Sequence, residues 1–433
     1  MADAGIAAVK ARRVWDSRGR PTVEVDVHLV DGSFGRAIAP AGASRGSHEA
    51  VDLRDGESAF GGLGVSRALH AVNAVIAPAL RGRHADDQED IDHRLIELDG
   101  TPQKARLGGN ATIAVSMAVA HAAAHAARLP LWHYLSGSGA AGLPMPLVQI
   151  FGGGAHAGRR IDVQDVMIVP IGARSFDEAT AMAAEVYRAA GELMAERRLL
   201  RGVADEGGWW PEFGSNAEAL DSAVQAIERS GYRPGEDAAL ALDVAASQLG
   251  RNGRYRLAAD FQELDREALV LRLLDWCRRY PVVSVEDPVG EDDDDGMRMF
   301  TAAVGETIQV VGDDYLVTSA DRISAAAAER ACNAVLIKPN QAGTLTEARL
   351  AFAAARAAGW RTIISARSGE TEDVTIVHLA VGWRADQLKV GSFARSERMA
   401  KWNEGIRIEE SFGGAAAFAG RAAVGGTRVP AES

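Results

Sequence analysis

The chain of 433 residues is long enough for two or three domains, or for one large α/β barrel and a further domain. Its 47% hydrophobic and 24% charged content is that of an ordinary globular protein with a large core. The formal net charge of −12 argues against nucleic acid or an anionic membrane as the main partner.

The sequence carries no sign of export or membrane insertion. Residues 1–6 lack a basic region followed by an apolar stretch, and no apolar segment reaches the ~20 residues that span a bilayer. Cys277 and Cys332 have no metal-type spacing and are typical of buried, reduced thiols. We therefore expect a soluble cytoplasmic protein.

The amino-terminal part begins with strand and turn signals. Residues 22–29 alternate polar and apolar side chains, which predicts a half-buried antiparallel strand. Asp31-Gly32 then predicts a hairpin into residues 35–39. The glycine-containing segment 40–48 follows and has the character of a surface loop.

Residues 64–135 are predicted to be helical. A long helix over residues 110–125 is rich in alanine and is predicted to be capped by Asn110. His121 and His125 lie on one face of it, but without a third ligand they are interpreted as ordinary helix residues. Glycines and prolines over residues 137–146 mark a linker, so we expect one domain over residues 1–136 and another over residues 143–433.

The second domain opens with irregular elements. A glycine-rich loop at residues 151–158 carries His156, and a strand is predicted over residues 161–169. A helix is expected over residues 176–197. The segment that follows presents Glu206 between small residues, just before Trp209 and Trp210.

From residue 240 onward a short apolar run alternates with a helical segment, with a repeat of roughly 25 residues that fits one strand and one helix. The runs cover residues 240–243, 282–286, 308–313, 334–338, 362–366 and 387–389. Continuous apolar runs are typical of parallel strands buried on both faces, and a closed ring of such units carries its chemistry at the strands' carboxyl ends. The residues placed there are Asp243, Glu286, Asp313, Lys338 and Lys389.

Three acids converging in one mouth predict a metal site. Asp243, Glu286 and Asp313 would repel one another in a poorly solvated mouth, and a divalent cation would remove that repulsion. Ligation by oxygen alone favours Mg²⁺ over Zn²⁺. The competing interpretation is that each acid caps a helix or pairs with an arginine, which three successive strand ends make less favourable.

Lys338 and Lys389 add basic groups to the same mouth. A lysine beside a bound cation and a second ammonium has its neutral form favoured, as a general base requires. Glu206 could then act as the acid that protonates a leaving hydroxyl. A lysine base working with Mg²⁺ beside a substrate carboxylate is the general pattern of the enolase superfamily.

The sequence resembles the enolase family over nearly its whole length. Matching motifs include Asp205-Glu-Gly-Gly208, Ser284-Val-Glu-Asp-Pro288, Lys338-Pro-Asn-Gln341 and Arg395-Ser-Glu-Arg398. The resemblance implies an α+β amino-terminal domain, then a modified (β/α)8 TIM barrel, that is, an α/β fold. It also implies a homodimer or octamer.

The resemblance further implies roles for individual residues. Asp243, Glu286 and Asp313 would bind the tighter Mg²⁺, and Ser44 would help to bind a second Mg²⁺ that arrives with the substrate. Lys338 would be the base and Glu206 the carboxylate on the acid side. Substrate-binding positions would be His156, Arg367, Ser368 and Lys389, with the arginine and the serine on the phosphate.

The chain also departs from the family's pattern. Asp165 follows Gln164 where the family has glutamate, so this acid-side carboxylate is one methylene shorter. Ala366 stands where the family has histidine, which leaves a space of imidazole size. Arg45 adds a guanidinium to the first mobile loop, where it suits an additional anionic group on the ligand.

Three functions are compatible with these residues. The first is the Mg²⁺-dependent dehydration of 2-phosphoglycerate to phosphoenolpyruvate. The second retains this chemistry in phosphonate natural-product biosynthesis, as in an enzyme resembling carboxyphosphonoenolpyruvate synthase, with a phosphonate carboxylic acid as its ligand. The third is a non-catalytic binding protein, against which the retained acids and lysines speak. An acid-sugar dehydratase is disfavoured because no Lys-x-Lys pair follows the strand at Asp165.

Overall fold

A computed structural model describes residues 4–43, 46–137, 139, 141–413 and 417–424. Its strands are β1 (Ile6–Trp15), β2 (Pro21–Leu29), β3 (Phe34–Ile38), β4 (Met145–Gly152), β5 (Asp165–Val169), β6 (Leu200–Val203), β7 (Trp209–Pro211), β8 (Ala239–Asp243), β9 (Gly250–Arg251), β10 (Arg254–Leu257), β11 (Gln262–Asp265), β12 (Val282–Glu286), β13 (Gln309–Gly312), β14 (Ala334–Ile337), β15 (Arg361–Ser365) and β16 (Gln387–Gly391).

The helices bracket these strands. They are α1 (Ser66–His70), α2 (Ala77–Leu80), α3 (Gln88–Asp99), α4 (Gly109–Ala126), α5 (Leu131–Ser136), α6 (Phe176–Glu196), α7 (Asn216–Arg229), α8 (Arg266–Arg279), α9 (Asp294–Val304), α10 (Ala320–Ala328), α11 (Pro339–Ala342), α12 (Leu345–Ala357), α13 (Thr375–Gly382) and α14 (Ser396–Ser411). None of the described helices is both long and apolar enough to cross a membrane.

The amino-terminal region is an antiparallel sheet in the order β1–β2–β3, with α4 packed against β2 and β3. The hairpin between β2 and β3 confirms the turn predicted at Asp31-Gly32. The sequence analysis did not predict β1, although it pairs with β2 along nearly the whole length of both strands.

The prediction that residues 22–29 are only half-buried is wrong. Glu24 and Asp26 on the polar face of β2 are buried, because arginines of the neighbouring strands cover them. Arg12 of β1 forms ion pairs with both carboxylates, and Nε of Arg36 lies 2.7 Å from Asp26 Oδ1. Alternation of polar and apolar residues therefore identified the strand but not its surroundings.

The prediction that Asn110 caps the long helix is also wrong. The cap position of α4 is Gly108, and no side chain bonds to the first turn from that position. Asn110 lies inside the helix, where its Oδ1 accepts from the backbone N–H of Leu53 at 3.2 Å and its amide donates to the Leu53 carbonyl. Asn110 thereby ties α4 to the segment after β3.

Eight of the described strands close into a barrel in the order β4–β5–β8–β12–β13–β14–β15–β16, and β16 pairs with β4. Within the barrel, neighbouring strands are parallel from β8 through β12, β13, β14 and β15 to β16, as the repeated apolar runs predicted. β5 runs antiparallel to both β4 and β8. The barrel is therefore a modified one, and it agrees with the predicted α/β fold class.

The predicted strand over residues 161–169 begins four residues late. Residues 161–164 form bends, because Asp162 holds them with side-chain bonds instead of a strand ladder. Its carboxylate accepts from the backbone N–H groups of Ala258 and Ala259 at 2.8 and 3.0 Å and from the amide of Asn216 at 2.8 Å.

The helix predicted over residues 176–197 is confirmed as α6. The boundaries of the two domains, 1–136 and 143–433, remain a prediction.

Two histidines meet where α4 of the amino-terminal region packs against α13 of the barrel. Nε2 of His121 lies 2.8 Å from Thr375 Oγ1, and the ring of His121 meets His378 edge-on. His125 instead contacts the backbone of Phe34. These contacts agree with the interpretation of His121 and His125 as ordinary helix residues.

We expect His378 to weaken the fold in mild acid. Burial, reinforced by His121 and only partly opposed by the charge of Asp373, lowers the pKa of His378 to about 4. The unfolded state binds the proton more readily, so stability is lost as pH falls from about 6.5 towards 4. In urea unfolding, His378→Gln should reduce the loss between pH 7 and pH 5 by about 2 kcal/mol. The exposed His125→Gln should not; equal losses in all three proteins would contradict the prediction.

Candidate active site

The acids and lysines predicted at the strand ends lie together at one mouth of the barrel. Asp243 and Glu286 end β8 and β12, and Lys389 lies within β16. Asp313 and Lys338 directly follow β13 and β14. All five side chains are buried, so their charges must be balanced within the protein.

The two lysines divide the carboxylates between them. Nζ of Lys389 lies 2.8 Å from Asp243 Oδ2 and 2.8 Å from Glu286 Oε2, while Lys338 forms an ion pair with Asp313. Nε2 of Gln341 donates to the other oxygen of Asp313 at 2.9 Å. The acids and lysines therefore form two neighbouring groups, one around Lys389 and the other around Lys338.

The pKa values show that negative charge is in excess here. Burial acts to raise the pKa of Asp243, but the adjacent Lys389 ammonium outweighs it and holds that pKa at about 2. Burial and the charge of Asp243 raise the pKa of Glu286 well above its usual range. Two ammonium groups thus do not fully compensate the three acids.

The donor chemistry of this set suits Mg²⁺. The cation would draw the three carboxylates together, because in the present structure they do not bring one oxygen each within 4.8 Å of the others. Asp243, Glu286 and Asp313 offer carboxylate oxygens only, which Mg²⁺ prefers. Burial and, after it, the charge of Asp243 raise the pKa of Glu286, and a divalent cation would favour the charged carboxylate again. Lys338 and Lys389 would have to give up their carboxylate contacts to admit the cation. Both lysines would then face the bound substrate.

A second set of carboxylates lies beside the first. Among the described residues, the group of three acids with one oxygen each within 4.8 Å of the others is Asp287, Asp313 and Asp314. Asp287 is already engaged, however: its two oxygens accept from the backbone N–H groups of Asp313 and Asp314 at 2.9 and 2.8 Å. We therefore assign Asp287 to holding the chain at Asp313, and we prefer Asp243 and Glu286 as partners of Asp313.

The acid side of the mouth contains Glu206 and Asp165. Glu206 is buried in the turn between β6 and β7, and the Glu206 carbonyl accepts from the backbone N–H of Ser392 at 2.9 Å. Asp165 begins β5, and its Oδ2 lies 3.6 Å from Lys389 Nζ. Nε2 of Gln164 donates to Asp243 Oδ2 at 3.0 Å, so the acid side and the predicted metal ligands touch.

Arg367 and Ser368, which are predicted to bind the phosphate and are here called the phosphate clamp, follow β15. Nη1 of Arg367 lies 2.9 Å from Glu49 Oε2 and 3.2 Å from Asn340 Oδ1. The fully buried guanidinium of Arg398 donates to the carbonyls of Arg367 and Ser368 at 2.8 and 2.7 Å. Arg398 therefore fixes the backbone of the clamp, and Glu49 holds its guanidinium from the amino-terminal region.

Some predicted site residues fall where less is described. Ser44 and Arg45 lie outside the described residues. His156 belongs to a turn at Gly154–Ala157, and its side chain is likewise not described. Ala366 is buried directly after β15, and its backbone N–H donates to the carbonyl of Lys389 at 2.8 Å.

Sequence reasoning missed several residues that shape the site. Glu49, Gln149, Asp287 and Arg398 all bond directly to predicted site residues or to their backbone. Arg398 lies in a motif on which the family resemblance was based, so the sequence did contain a signal for its role. Gln149 sits in an apolar strand with no neighbouring signal, and only the fold shows where its amide points.

Family models match both halves of the chain. Residues 6–135 match "Enolase, N-terminal domain" and residues 140–426 match "Enolase, C-terminal TIM barrel domain". The chain belongs to the enolase family. This membership confirms the resemblance drawn from the motifs.

Relatives named as enolases are similar over almost the whole chain. An enolase of Acidothermus cellulolyticus is 50% identical over 96% of this chain and 97% of its own length. Enolase 1 of Desulfitobacterium hafniense is 49% identical over 95% of both chains, and an enolase of Mycobacterium leprae is 49% identical over 96% of both. These relatives do not favour the phosphonate-tailoring function or the non-catalytic function.

Proposed function

We propose that the protein is an enolase-type lyase that removes water from 2-phosphoglycerate to give phosphoenolpyruvate. The observation that carries this proposal is the convergence of Lys338, Lys389 and three buried acids at the carboxyl ends of the barrel strands. The names and the near full-length similarity of its relatives support the same reaction.

Lys338 is the proposed base that takes the proton from carbon 2 of the substrate. In the present structure burial disfavours its ammonium, but Asp313 outweighs burial and raises the pKa of Lys338. Lys338 can accept a proton only as the neutral amine, so its ion pair with Asp313 has to break first. The contact between Asp313 and Lys338 therefore couples the proposed metal ligands to the base.

Glu206 and Asp165 are the proposed carboxylates on the acid side. Once the carbon 2 proton is on Lys338, the hydroxyl on carbon 3 leaves with a proton supplied on this side, so that water and phosphoenolpyruvate are formed. Both carboxylates are buried, which restricts competing water near the leaving hydroxyl.

Asp243, Glu286 and Asp313 would hold Mg²⁺, and Ser44 would contribute to a second Mg²⁺ bound with the substrate. Bound Mg²⁺ supplies positive charge that stabilises the additional negative charge on the substrate carboxylate after proton removal. Lys389 would lie beside that carboxylate. His156, Arg367 and Ser368 would bind the remaining groups of the substrate, with the phosphate on the arginine.

Other properties extend this proposal. The ligand is a small phosphorylated carboxylic acid, and the protein assembles with further copies of itself, as a dimer or an octamer. We expect two departures from the family's sequence, Ala366 in place of histidine and the arginine at position 45, to distinguish the substrate pocket within the family. The cytoplasmic location predicted from the sequence remains a prediction.

We expect the purified protein to convert 2-phosphoglycerate when Mg²⁺ is supplied. A turnover number in the usual range of about 1–10³ s⁻¹ is expected from the absorbance of phosphoenolpyruvate. Chelation should abolish the activity and added Mg²⁺ should restore it. Absence of turnover in a folded protein that still binds Mg²⁺ would contradict the proposed substrate.

A further inference from the structure

Gln149 lies at the centre of the acid side although the reaction as proposed gives it no role. It is a residue of β4, only 1% exposed, and its side-chain amide spans two functional elements. Oε1 accepts from the backbone N–H of Gly208 at 2.8 Å, and Nε2 donates to Asp165 Oδ1. A rotated amide would place its oxygen against the Asp165 carboxylate, so the two bonds fix one orientation.

The first contact of Gln149 is with the turn that presents Glu206. A Cβ on Gly208 would lie 2.4 Å from Gln149 Oε1, so only glycine at position 208 lets the amide approach the backbone. Tyr187 of α6 donates from its Oη to the Gly207 carbonyl at 2.9 Å. Gln149 therefore holds one side of this turn and Tyr187 the other.

The second contact of Gln149 is with the shortened carboxylate. Asp165 is one methylene shorter than the glutamate that the family carries, and its Oδ2 still lies 3.6 Å from Lys389 Nζ. A misplacement of roughly 1 Å at a reacting group can reduce the rate by about 100-fold. A side chain that reaches Asp165 and holds it against displacement thus bears directly on the rate.

We propose that Gln149 is a positioning residue that holds Asp165 and the Glu206 turn in one fixed geometry, and that its length is matched to the short side chain of Asp165. The inference rests on the proposed function, since it assigns both carboxylates to the leaving hydroxyl. Gln149 acts through these carboxylates, and nothing in its role requires contact with the substrate.

Exchange of one methylene between the two partners tests this match. Gln149→Asn and Asp165→Glu should each lower kcat by about 10- to 100-fold, because each changes the combined length of the pair. The double variant restores the combined length of the pair but not the bond to Gly208, so its kcat should exceed that of either single variant by about threefold or more without reaching that of the unsubstituted protein. A double variant no better than the weaker single variant would overturn the proposal.

Gln149→Met separates positioning from packing, because methionine fills similar volume without a polar amide. We expect kcat to fall by about 10- to 100-fold while KM changes less than about threefold, as for a contribution made in the transition state. Gln387→Met is the matched control. Gln387 is a fully buried glutamine of β16 whose amide donates to Gln309 Oε1 at 3.0 Å and to the Ala423 carbonyl at 2.8 Å, and these bonds involve none of the acids or lysines of the mouth.

The control variant should lose thermal stability and keep its kcat. Normal kcat in Gln149→Met would overturn the inference. If the unsubstituted protein does not convert 2-phosphoglycerate at all, the proposed function fails, and hydrogen exchange still tests Gln149. Amides of residues 204–208 should then exchange faster in Gln149→Met than in Gln387→Met, and equal exchange would reject the positioning role.

Discussion

Replacement of Lys338 by alanine is expected to lower kcat for 2-phosphoglycerate by about 10³-fold, within the 10²–10⁴ range typical of general acid–base groups. Lys338 is the buried amine paired with Asp313, and its removal leaves the carbon 2 proton without an acceptor. Exchange of that proton with solvent deuterium, followed by NMR, should disappear as well. Mg²⁺ binding measured by calorimetry should persist, because all three carboxylates remain.

A second buried lysine provides a matched control for this variant. Lys104 is equally buried and forms an ion pair with Glu347, which is not one of the proposed catalytic residues. Lys104→Ala should therefore reduce stability and leave proton exchange intact. Exchange at the normal rate in Lys338→Ala would show that another group is the base.

Replacement of Glu286 by glutamine is expected to weaken Mg²⁺ binding by at least about 100-fold and to remove activity at ordinary Mg²⁺ concentrations. Substitution of groups that only support a metal's ligands costs 10- to 100-fold in affinity, so the loss of a ligand charge should cost more. Glutamine retains the size of the side chain, so the fold should persist. The pKa of Glu286 is raised by burial and Asp243, and neutralisation should therefore even relieve repulsion in the metal-free protein.

Asp287 distinguishes the two sets of carboxylates. Asp287→Asn should lower the melting temperature, because Asp287 accepts from the backbone N–H groups of Asp313 and Asp314, while the dissociation constant for Mg²⁺ should change little. Calorimetric titration of both variants makes the comparison. A larger loss of Mg²⁺ affinity in Asp287→Asn than in Glu286→Gln would place the ion in the second set.

The sequence was sufficient to predict the barrel and the residues at its mouth. Parallel strands buried on both faces leave continuous apolar runs, and a polar residue at the end of each run must lie at the same edge. Asp243, Glu286 and Asp313 could be located in this way because their positions follow from the regular repeat of strand and helix along the sequence. Lys338 and Lys389 followed from the same regularity.

The remaining features depend on contacts between segments that are distant in the sequence. The sequence of β2 alternates as in a half-buried strand. In the fold, however, β1 and its Arg12 cover the polar face of β2 and bury it. Asn110 lies inside α4 and bonds to Leu53, so it does not occupy the cap position of its helix. Gln149 is one polar residue in a buried strand, and its role appears only once β4, β5 and the Glu206 turn are side by side.

The most direct test of the proposed centre is a crystal structure with Mn²⁺ in place of Mg²⁺, because its anomalous scattering locates the ion. We expect one ion bound by oxygens of Asp243, Glu286 and Asp313, with the Lys338 amine released from Asp313 and facing the same cavity. An ion held instead by Asp287, Asp313 and Asp314, or a Lys338 side chain directed away from the ion, would contradict the proposed arrangement of metal and base.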